Sequence, residues 1–419
     1  MRPDPVWLAA GSRTPFARVD GPLASRDALA LSVPVVQAMA RQAAGPIDLT
    51  VWGSVAVNLA YSNLAREIWL EAGLDPHVPA FTTILQCCTS MAGAFEAAGM
   101  LSRPGRDLAL VGGSESASRV QIGLGTDLSV WLRRLLQTKS ARRRLAVGRA
   151  LRPRDIRLYV PEVKNRATGK SMGEHCEEMA QHWHIRRSEQ DAFALESHRR
   201  AVAAQDRGGA GDLVPLDGLD RDQFPRRDTS LEKLSALRPA FDRVRGTITA
   251  GNSSPLTDGA AGVWVATGAG LERLPPSLPR ARLVDFEIAA VDLFQEGLLM
   301  APVAAIPRLL ARQGLKYEDV ALWEIHEAFA AQVLCNLAGL EDAAYVQSRA
   351  GVPHAFGRFP RERVNPDGGS VALGHPFGAT GARILSQAVR ELAPMPPGSR
   401  AIVSVCADGG LGTVALLER

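Results

Sequence analysis

The chain has 419 residues, of which 46% are hydrophobic and 22% charged, the composition of a globular protein long enough for two or three domains. No apolar run approaches the roughly 18 residues of a membrane span, and no basic and apolar leader opens the chain, so we expect neither a span nor a signal peptide. The net charge is only +4, and the five cysteines are scattered and odd in number, which argues against a disulfide framework and favours a reducing, cytoplasmic setting.

Strand-like and helix-like segments alternate along the first part of the chain. Strand-like runs cover residues 51–57, 80–86 and 107–113. Apolar residues recur at helical spacing in residues 28–42, 64–74 and 87–101. Alternation at these lengths predicts an α/β structure with a mainly parallel sheet covered by helices.

The pattern changes between residues 120 and 250. This part opens with a basic stretch, 133–157, which holds ten Arg or Lys residues and a single acid, Asp155. Leucines among the arginines indicate an amphipathic helix. The residues alone leave four uses open for the stretch: a solvated helix face, an anionic ligand site, an anionic membrane surface or a dock for an acidic partner protein. A charged helical segment, 177–205, follows.

The last third of the chain returns to alternating segments in a similar order. In the first part, a strand meets a helix at Cys87, and a later strand ends in Gly112 and Gly113. In the last part, a glycine-rich turn, GHPFGATG, meets a helix, and the next strand ends in Gly409 and Gly410. This order predicts an internal duplication of an α/β unit.

Cys87 and Cys88 stand together in LQCCTSMAG, residues 85–93, at a predicted junction of strand and helix. Adjacent cysteines do not match the spacing of a zinc motif, and a place in the core is the plain interpretation. The N–H groups and the dipole at a helix start also stabilise a thiolate, which suits a nucleophile.

Three further segments place reactive side chains at strand ends or helix starts. His375 lies in the glycine-rich turn, Cys406 ends an apolar strand in SVCADGGLG, and His326 leads into a helix in EIHEAFAAQ. Each has a plain interpretation when taken singly, as a turn histidine or a buried cysteine. Because ligand sites of α/β sheets lie at strand ends, the combination favours a nucleophilic active site. The chain carries no metal cluster, dinucleotide fingerprint or nucleic-acid motif, so we predict no metal, no prosthetic group and no nucleic-acid partner.

In this combination the sequence resembles the thiolase family over nearly its whole length. SRTPF, GGSES, GTITAGNSSPLTDGAA, HEAFA, NPDGGSVALGHPFGATGAR and CADGGLG follow one another in the family's order. The sequence is most similar to the β-subunits of the fatty-acid oxidation trifunctional complex, which carry HEAF where many relatives have NEAF. The resemblance implies the thiolase fold, an α/β fold with two duplicated βαβαβαββ halves in a layered α-β-α-β-α core.

The predicted domains follow from the duplication and the resemblance. We expect a first half at 1–119 plus 250–275, an inserted loop domain at 120–249, and a second half at 276–419.

The resemblance implies acyl transfer between a 3-ketoacyl-CoA and coenzyme A through an acyl-cysteine, as in fatty-acid β-oxidation. Its register selects Cys88 as the nucleophile and leaves Cys87 as a structural neighbour. His375 is expected to take the thiol proton, and His326 to hold an enolate oxygen. Cys406 is expected to protonate the departing acetyl-CoA carbanion and to activate the incoming CoA thiol.

The binding residues are likewise implied by the resemblance. Met172, Ser254 and Phe329 match positions near the pantetheine or acyl part, and Arg226 matches a residue near the CoA nucleotide. A planar guanidinium suits both phosphate binding and adenine stacking. Coenzyme A is therefore expected as a co-substrate.

The sequence also departs from the family pattern. Asp408 stands where many relatives have glycine, in a turn whose N–H is expected to join the N–H of Cys88 in an oxyanion site. The aspartate charge opposes an anion there. Met91 replaces a small residue, which predicts a reshaped acyl pocket.

Two other functions remain open at this stage. One is the biosynthetic direction, in which two acetyl-CoA form acetoacetyl-CoA, and the other is a non-catalytic acyl-CoA or lipid carrier. The resemblance also implies a homodimer or homotetramer. It makes an α-subunit partner plausible, together with peripheral membrane contact through 133–157.

Overall fold

The computed structural model describes residues 5–208, 211–353 and 356–419. The strands are β1 (Val6–Ala9), β2 (Ala17–Arg18), β3 (Leu49–Gly53), β4 (Ala80–Phe81), β5 (Leu108–Glu115), β6 (Gly123–Leu124), β7 (Leu158–Tyr159), β8 (Thr257–Ala266), β9 (Arg280–Ala290), β10 (Leu322–Ile325), β11 (Arg400–Ala407) and β12 (Leu411–Glu418).

The α-helices match most of the predicted helical segments. They are α1 (Ala28–Ala40), α2 (Leu64–Glu71), α3 (Thr89–Leu101), α4 (Thr126–Gln137), α5 (Ala141–Arg149), α6 (Met172–His182), α7 (Arg187–Asp206), α8 (Leu231–Ser235), α9 (Gly268–Leu271), α10 (Ala301–Gln313), α11 (Ala330–Glu341), α12 (Ala343–Ala350), α13 (Ser370–Leu373) and α14 (Thr380–Leu392). Local chemistry sets their ends: the Asp27 carboxylate accepts from the N–H of Ala30 at the start of α1, and Gly314, with φ of 65°, closes α10.

The main sheet has the strand order β10-β11-β12-β9-β1-β8-β5-β3-β4, with β2 paired to β8. Only β3–β4, β3–β5 and β10–β11 are parallel, and the other pairs of this sheet are antiparallel. The prediction of a mainly parallel sheet is therefore wrong. A short turn joins β11 to β12 and permits only an antiparallel pair, and β1–β9 joins the two halves in antiparallel fashion.

The two halves repeat one pairing scheme. In the first half β1 pairs antiparallel with β8, β8 antiparallel with β5, and β5 parallel with β3. In the second half β9, β12, β11 and β10 pair in the same order and senses. The predicted duplication of the fold is confirmed by this topology. The predicted domain boundaries stay a prediction, and the chain re-enters the first half at β8.

Alternating side chains divide the interior into layers. On β11, Val403 and Val405 pack in a central core with α3 and α14, whereas Ile402 points to the core of α10 and α11. On β8, Val263 joins the central core and Trp264 the outer core beside α1 and α2. The order helix, sheet, helix, sheet, helix follows, as the thiolase resemblance implies.

The basic stretch forms part of an exposed arm, residues 120–163, which is built from α4, α5 and the β6–β7 ribbon. Neither helix contains a buried residue. The indole N–H of Trp131 donates to the Val147 carbonyl at 2.8 Å and ties the two helices together. The single helix predicted here is thus a helical pair. Nowhere in the described part of the chain is a helix both long and apolar enough to cross a membrane.

Candidate active site

Cys87 lies two residues before the start of α3, in a turn with an unusual backbone. Gln86 has φ of 45°, a region that non-glycine residues rarely enter. The Thr89 hydroxyl fixes this turn, because it accepts from the N–H of Leu85 at 2.9 Å and donates to the Gln86 carbonyl at 2.7 Å. The Cys87 sulfur is thereby presented to His375, with Sγ 3.2 Å from Nε2.

Cys88 faces the opposite way. Its side chain is fully buried in the central core, and its thiol donates to the Val405 carbonyl at 3.3 Å. Its backbone N–H donates to the Leu85 carbonyl at 2.9 Å. This geometry favours Cys87 over the predicted Cys88 as the nucleophile, and the N–H of Cys88, which was predicted for an oxyanion site, is already engaged by the Leu85 carbonyl.

His375 is held in one orientation. Its backbone N–H donates to the Thr257 hydroxyl at 3.0 Å, and its Nδ1 lies 2.6 Å from Oγ1 of Thr380. The Thr380 hydroxyl donates to the Pro376 carbonyl, so its oxygen is left to accept from Nδ1–H of the histidine. This tautomer leaves Nε2 of His375 as the acceptor that faces Cys87.

His326 stands beside this pair. Its ring centroid lies 4.2 Å from that of His375, and its Nδ1 lies 3.1 Å from Oγ of Ser370. Its Nε2 is buried and has no hydrogen-bond partner among the described residues. The next residue, Glu327, accepts hydrogen bonds from Ser197, Asn365 and Val371, which locks the end of β10 in place.

A cavity of about 240 Å³ brings the predicted catalytic groups together. Cys87, His375 and Cys406 line it, and so do Asp408 and Phe377. His326 is not in this lining and reaches the group through its contact with the ring of His375. The structure thus assembles His375, Cys406 and His326 as expected and replaces Cys88 by its neighbour.

Three of the four predicted binding residues, Met172, Ser254 and Phe329, line the same cavity. Arg226 lies in an adjoining cavity of about 570 Å³. A second cationic side chain, that of Arg18, lines the same cavity. The two cavities share Ser254, Ser253 and Phe241 as walls. The two adjoining cavities, together called the groove here, hold the Cys87 thiol in one and the two arginines in the other. Phe241, which packs edge-on against Phe329, was missed from the sequence.

Burial controls the charge of these groups at rest. It raises the pKa of the Cys87 thiol, with the neighbouring Cys88 and Asp408 adding to the effect, and it raises the pKa of Cys406. Burial lowers the pKa of His375 to about 3 and the pKa of His326 well below its usual value. Neutral thiols therefore face neutral imidazoles, an arrangement suited to a general base that takes the thiol proton when an electrophile arrives.

Sequence reasoning missed the groups that orient the histidines. Thr380 carries a usable signal, since it follows His375 by five residues in GHPFGAT and lies one helical turn after Pro376. Ser370 and Ser197 carry no such signal, because their roles depend on tertiary contacts.

Comparisons with known proteins identify the family of the chain. The family models "Thiolase, N-terminal domain" and "Thiolase, C-terminal domain" match residues 6–269 and 277–419. The 3-ketoacyl-CoA thiolases of Erwinia tasmaniensis and Vibrio cholerae are each 37% identical over 423 residues, covering 99% of this chain and 96% and 97% of their own. The crystal structure of human mitochondrial 3-ketoacyl-CoA thiolase in complex with CoA has a TM-score of 0.82 at 26% identity and covers 99% of this chain and 98% of its own.

Proposed function

The chain belongs to the thiolase family, and from this premise we propose that it is a 3-ketoacyl-CoA thiolase of fatty-acid β-oxidation. Coenzyme A cleaves the substrate to acetyl-CoA and a shortened acyl-CoA. The observation that carries the assignment is the 3.2 Å contact of Cys87 with His375, in a cavity that also holds Cys406. The degradative names of the full-length relatives favour cleavage over the biosynthetic direction.

The first half-reaction uses Cys87 as the nucleophile. His375 takes its proton at Nε2, and the thiolate attacks the 3-keto carbon of the substrate. The bond between C2 and C3 breaks, its electron pair stays on C2, and Cys406 supplies a proton there to give acetyl-CoA. The acyl group remains on Cys87 as a thioester.

The second half-reaction regenerates the enzyme. Cys406, now a thiolate, takes the proton of an incoming CoA thiol, whose sulfur attacks the acyl carbon on Cys87. The acyl-CoA leaves, and Cys87 recovers a proton from His375. The Nε2–H of His326 suits an enolate oxygen, and the N–H groups of Cys87 and of the turn after Cys406 suit the oxyanion of the thioester step.

The groove supports coenzyme A as the co-substrate. Met172, Ser254 and Phe329 supply an apolar wall near the thiols, which suits the pantetheine and acyl chains. Arg226 and Arg18 place two positive charges at the far cavity, where phosphates would gain from them. A non-catalytic carrier would have no use for the aligned thiol and imidazole.

The finer relationships are also proposals. We propose a trifunctional-type β-subunit, with His326 in HEAF and the exposed arm as support. In this proposal the ten basic residues of the arm bind an anionic membrane surface. An α-subunit is the other candidate to bind the arm. A homodimer or homotetramer and a cytoplasmic setting rest on the family resemblance and on five free thiols.

The test uses the two adjacent thiols as a matched pair. The protein is incubated with acetyl-CoA without an acceptor thiol, quenched in acid, and the acetylated cysteine is located by fragmentation mass spectrometry. We expect the label on Cys87, its loss in Cys87→Ala, and thiolysis of 3-ketoacyl-CoA reduced by at least about a thousandfold. The control, Cys88→Ala, keeps both label and most activity. A label on Cys88, or none on either thiol, contradicts the proposal.

A further inference from the structure

The active site contains three side chains that are also the preferred ligands of soft divalent cations. The Sγ of Cys87 and one ring nitrogen each of His326 and His375 lie within 4.8 Å of one another. Zinc holds thiolate sulfur at about 2.3 Å and imidazole nitrogen at about 2.0–2.1 Å, so in a tetrahedral site its ligand atoms are about 3.3–3.6 Å apart. Sγ of Cys87 and Nε2 of His375 are already 3.2 Å apart. Side-chain rotations that shorten the remaining distances by at most about 1.5 Å complete the site.

Both imidazoles are oriented as metal ligands are. In metal sites, a ligating histidine donates its other ring N–H to a fixed acceptor, which sets its tautomer and direction. Here Nδ1 of His375 donates to Oγ1 of Thr380 at 2.6 Å, and Nδ1 of His326 lies 3.1 Å from Oγ of Ser370. The Ser370 hydroxyl serves both tautomers of His326: it accepts from Nδ1–H when Nε2 binds a cation, and it donates to Nδ1 when Nε2–H meets an enolate oxygen. The two Nε2 atoms are left for the centre of the cluster, and that of His326 has no other partner within the described chain.

We propose that a thiophilic divalent cation of the zinc class binds reversibly to Cys87, His326 and His375 and blocks the nucleophile. The cation forms one bond to sulfur and two to nitrogen and displaces the proton of the Cys87 thiol to solvent. The cavity leaves a fourth position for water or for a thiol, which gives the tetrahedral geometry that zinc prefers. The ligands come from three distant segments, so no CxxC spacing reveals them in the sequence.

The inhibitory meaning of this site rests on the proposed function, but the binding does not. A bound cation occupies both the attacking sulfur and the base that activates it, so the first half-reaction cannot begin. His326 makes the cluster a three-ligand site, whereas an asparagine at this position keeps a polar side chain and leaves only two strong ligands.

Cobalt provides a direct readout, because Co²⁺ bound to thiolate gives a charge-transfer band and tetrahedral Co²⁺ gives intense visible bands. We would titrate the metal-free protein with Co²⁺ and then displace it with Zn²⁺. We expect both bands in the wild type and in Cys88→Ala. We expect loss of the charge-transfer band in Cys87→Ser and an affinity more than about tenfold weaker in His326→Asn, since even outer partners of metal ligands are worth about that factor.

The outer partner gives a second check that leaves the three ligands in place. Thr380→Val removes the acceptor for Nδ1–H of His375 and is expected to weaken Co²⁺ binding by about 10- to 100-fold while the bands keep their positions. The inference is overturned if the wild type gives no bands, if Cys87→Ser keeps them, or if Cys88→Ala loses them as well.

Thiolysis is assayed separately on the metal-free protein. If the protein catalyses thiolysis but gives no cobalt bands, the metal site is contradicted and the proposed function is supported. If it gives cobalt bands but no thiolysis, the proposed function is contradicted and the metal site is supported.

Discussion

Asp408 connects the catalytic turn to the segment that covers the thiol. Its Oδ1 accepts from the side-chain amide of Asn165 at 2.7 Å and from the N–H of Gly409 at 2.7 Å. Asn165 is itself fixed, since its Oδ1 accepts from the N–H groups of Ala167 and Thr168. The aspartate thus ties the turn after Cys406 to the segment that leads to Met172, and its charge opposes ionisation of the nearby Cys87.

These two effects of Asp408 can be separated. Asp408→Asn keeps an oxygen acceptor and removes a negative charge, so the pKa of the Cys87 thiol should fall and alkylation by iodoacetamide at neutral pH should rise by about three- to tenfold. Asp408→Ala removes the charge and the tie to Asn165, so the Michaelis constant for CoA should rise as well. The alkylation rate is measured against pH with Cys87 identified by peptide mapping. An unchanged pH profile in Asp408→Asn contradicts this account.

The choice between two neighbouring thiols shows where residue-level prediction stops. The sequence places both cysteines correctly at a helix start, and a family register favoured Cys88. What decides is the positive φ of Gln86, which turns Cys87 toward His375 and lets Cys88 face the central core. Backbone strain of this kind has no recognisable pattern in the amino-acid sequence.

At the scale of elements, the contact of α3 with α14 joins the two halves in the central layer. The Ser90 hydroxyl accepts from the N–H of Ala382 at 2.8 Å, and Gly381 lies against the backbone of Met91. A Cβ placed on Gly381 would come within 2.4 Å of the Met91 nitrogen. This helix pair therefore requires glycine for reasons of space.

Gly381→Ala should destabilise the protein by about 1–3 kcal/mol, because neither backbone can yield easily. It should also lower turnover, because Met91 lies in the first turn after Cys87. Gly99→Ala on the same α3 helix is the control: it is exposed, no described atom would lie within 4 Å of its Cβ, and it should stabilise by about 0.5–1 kcal/mol. Thermal unfolding midpoints compare the two variants. Equal midpoints would refute the argument.

No segment among the described residues covers the helices of the arm at 120–163. Leu136 and Leu145 are 67% and 57% exposed beside the arginines. Its base is a hairpin, since the N–H of Gly125 donates to the Arg157 carbonyl at 2.7 Å. Residues 126–156 can therefore be replaced by a two-residue Asn-Gly turn without pulling the base apart.

This replacement should leave thiolysis of short substrates and the unfolding midpoint unchanged, because the core does not include the arm. Binding to vesicles of anionic lipid should be lost. Arg142→Gln, Arg143→Gln and Arg144→Gln together should weaken vesicle binding by about 3 kcal/mol, at about 1 kcal/mol for each charge. Cosedimentation with vesicles at two salt concentrations measures both effects. Persistent vesicle binding without the arm would exclude it as the membrane contact.

At the scale of the whole molecule, the elements and their duplication were predictable from the sequence, whereas the directions in which the strands pair were not. Helical periodicity located α1, α2 and α3 to within a few residues, and the repeated order of elements predicted the duplication. Whether a pair of strands is parallel depends on which strands become neighbours in the sheet. β8 lies between β1 and β5, and β12 lies between β9 and β11. The two histidines of the site were predicted from a strand end and a glycine-rich turn, and Met172, Ser254 and Phe329 from the family resemblance. Phe241, by contrast, follows only from packing of the inserted segment.

The buried carboxyl group of Glu324 and the half-buried one of Glu391 link folding to pH. Glu324 on β10 is fully buried, and its two oxygens have no partner among the described residues while both groups are ionised. A proton on one carboxyl allows a hydrogen bond between Glu324 and Glu391. Burial raises the pKa of Glu324, and it raises the pKa of Glu391 to about 7.

The folded pKa of Glu391 lies above its ordinary 4.5, so its contribution to stability is complete below 4.5 and is lost as the pH rises through about 7. The lowered pKa of His375 has the opposite sign, since stability is then lost as the pH falls from 6.5 toward about 3. Glu391→Gln keeps a hydrogen-bond donor for Glu324 at every pH, so its unfolding midpoint should fall less than that of the wild type between about pH 5 and pH 8. Glu71→Gln, on the exposed side of α2, is the control and should follow the wild type. If Glu391→Gln also follows the wild type, the shared proton does not contribute to stability.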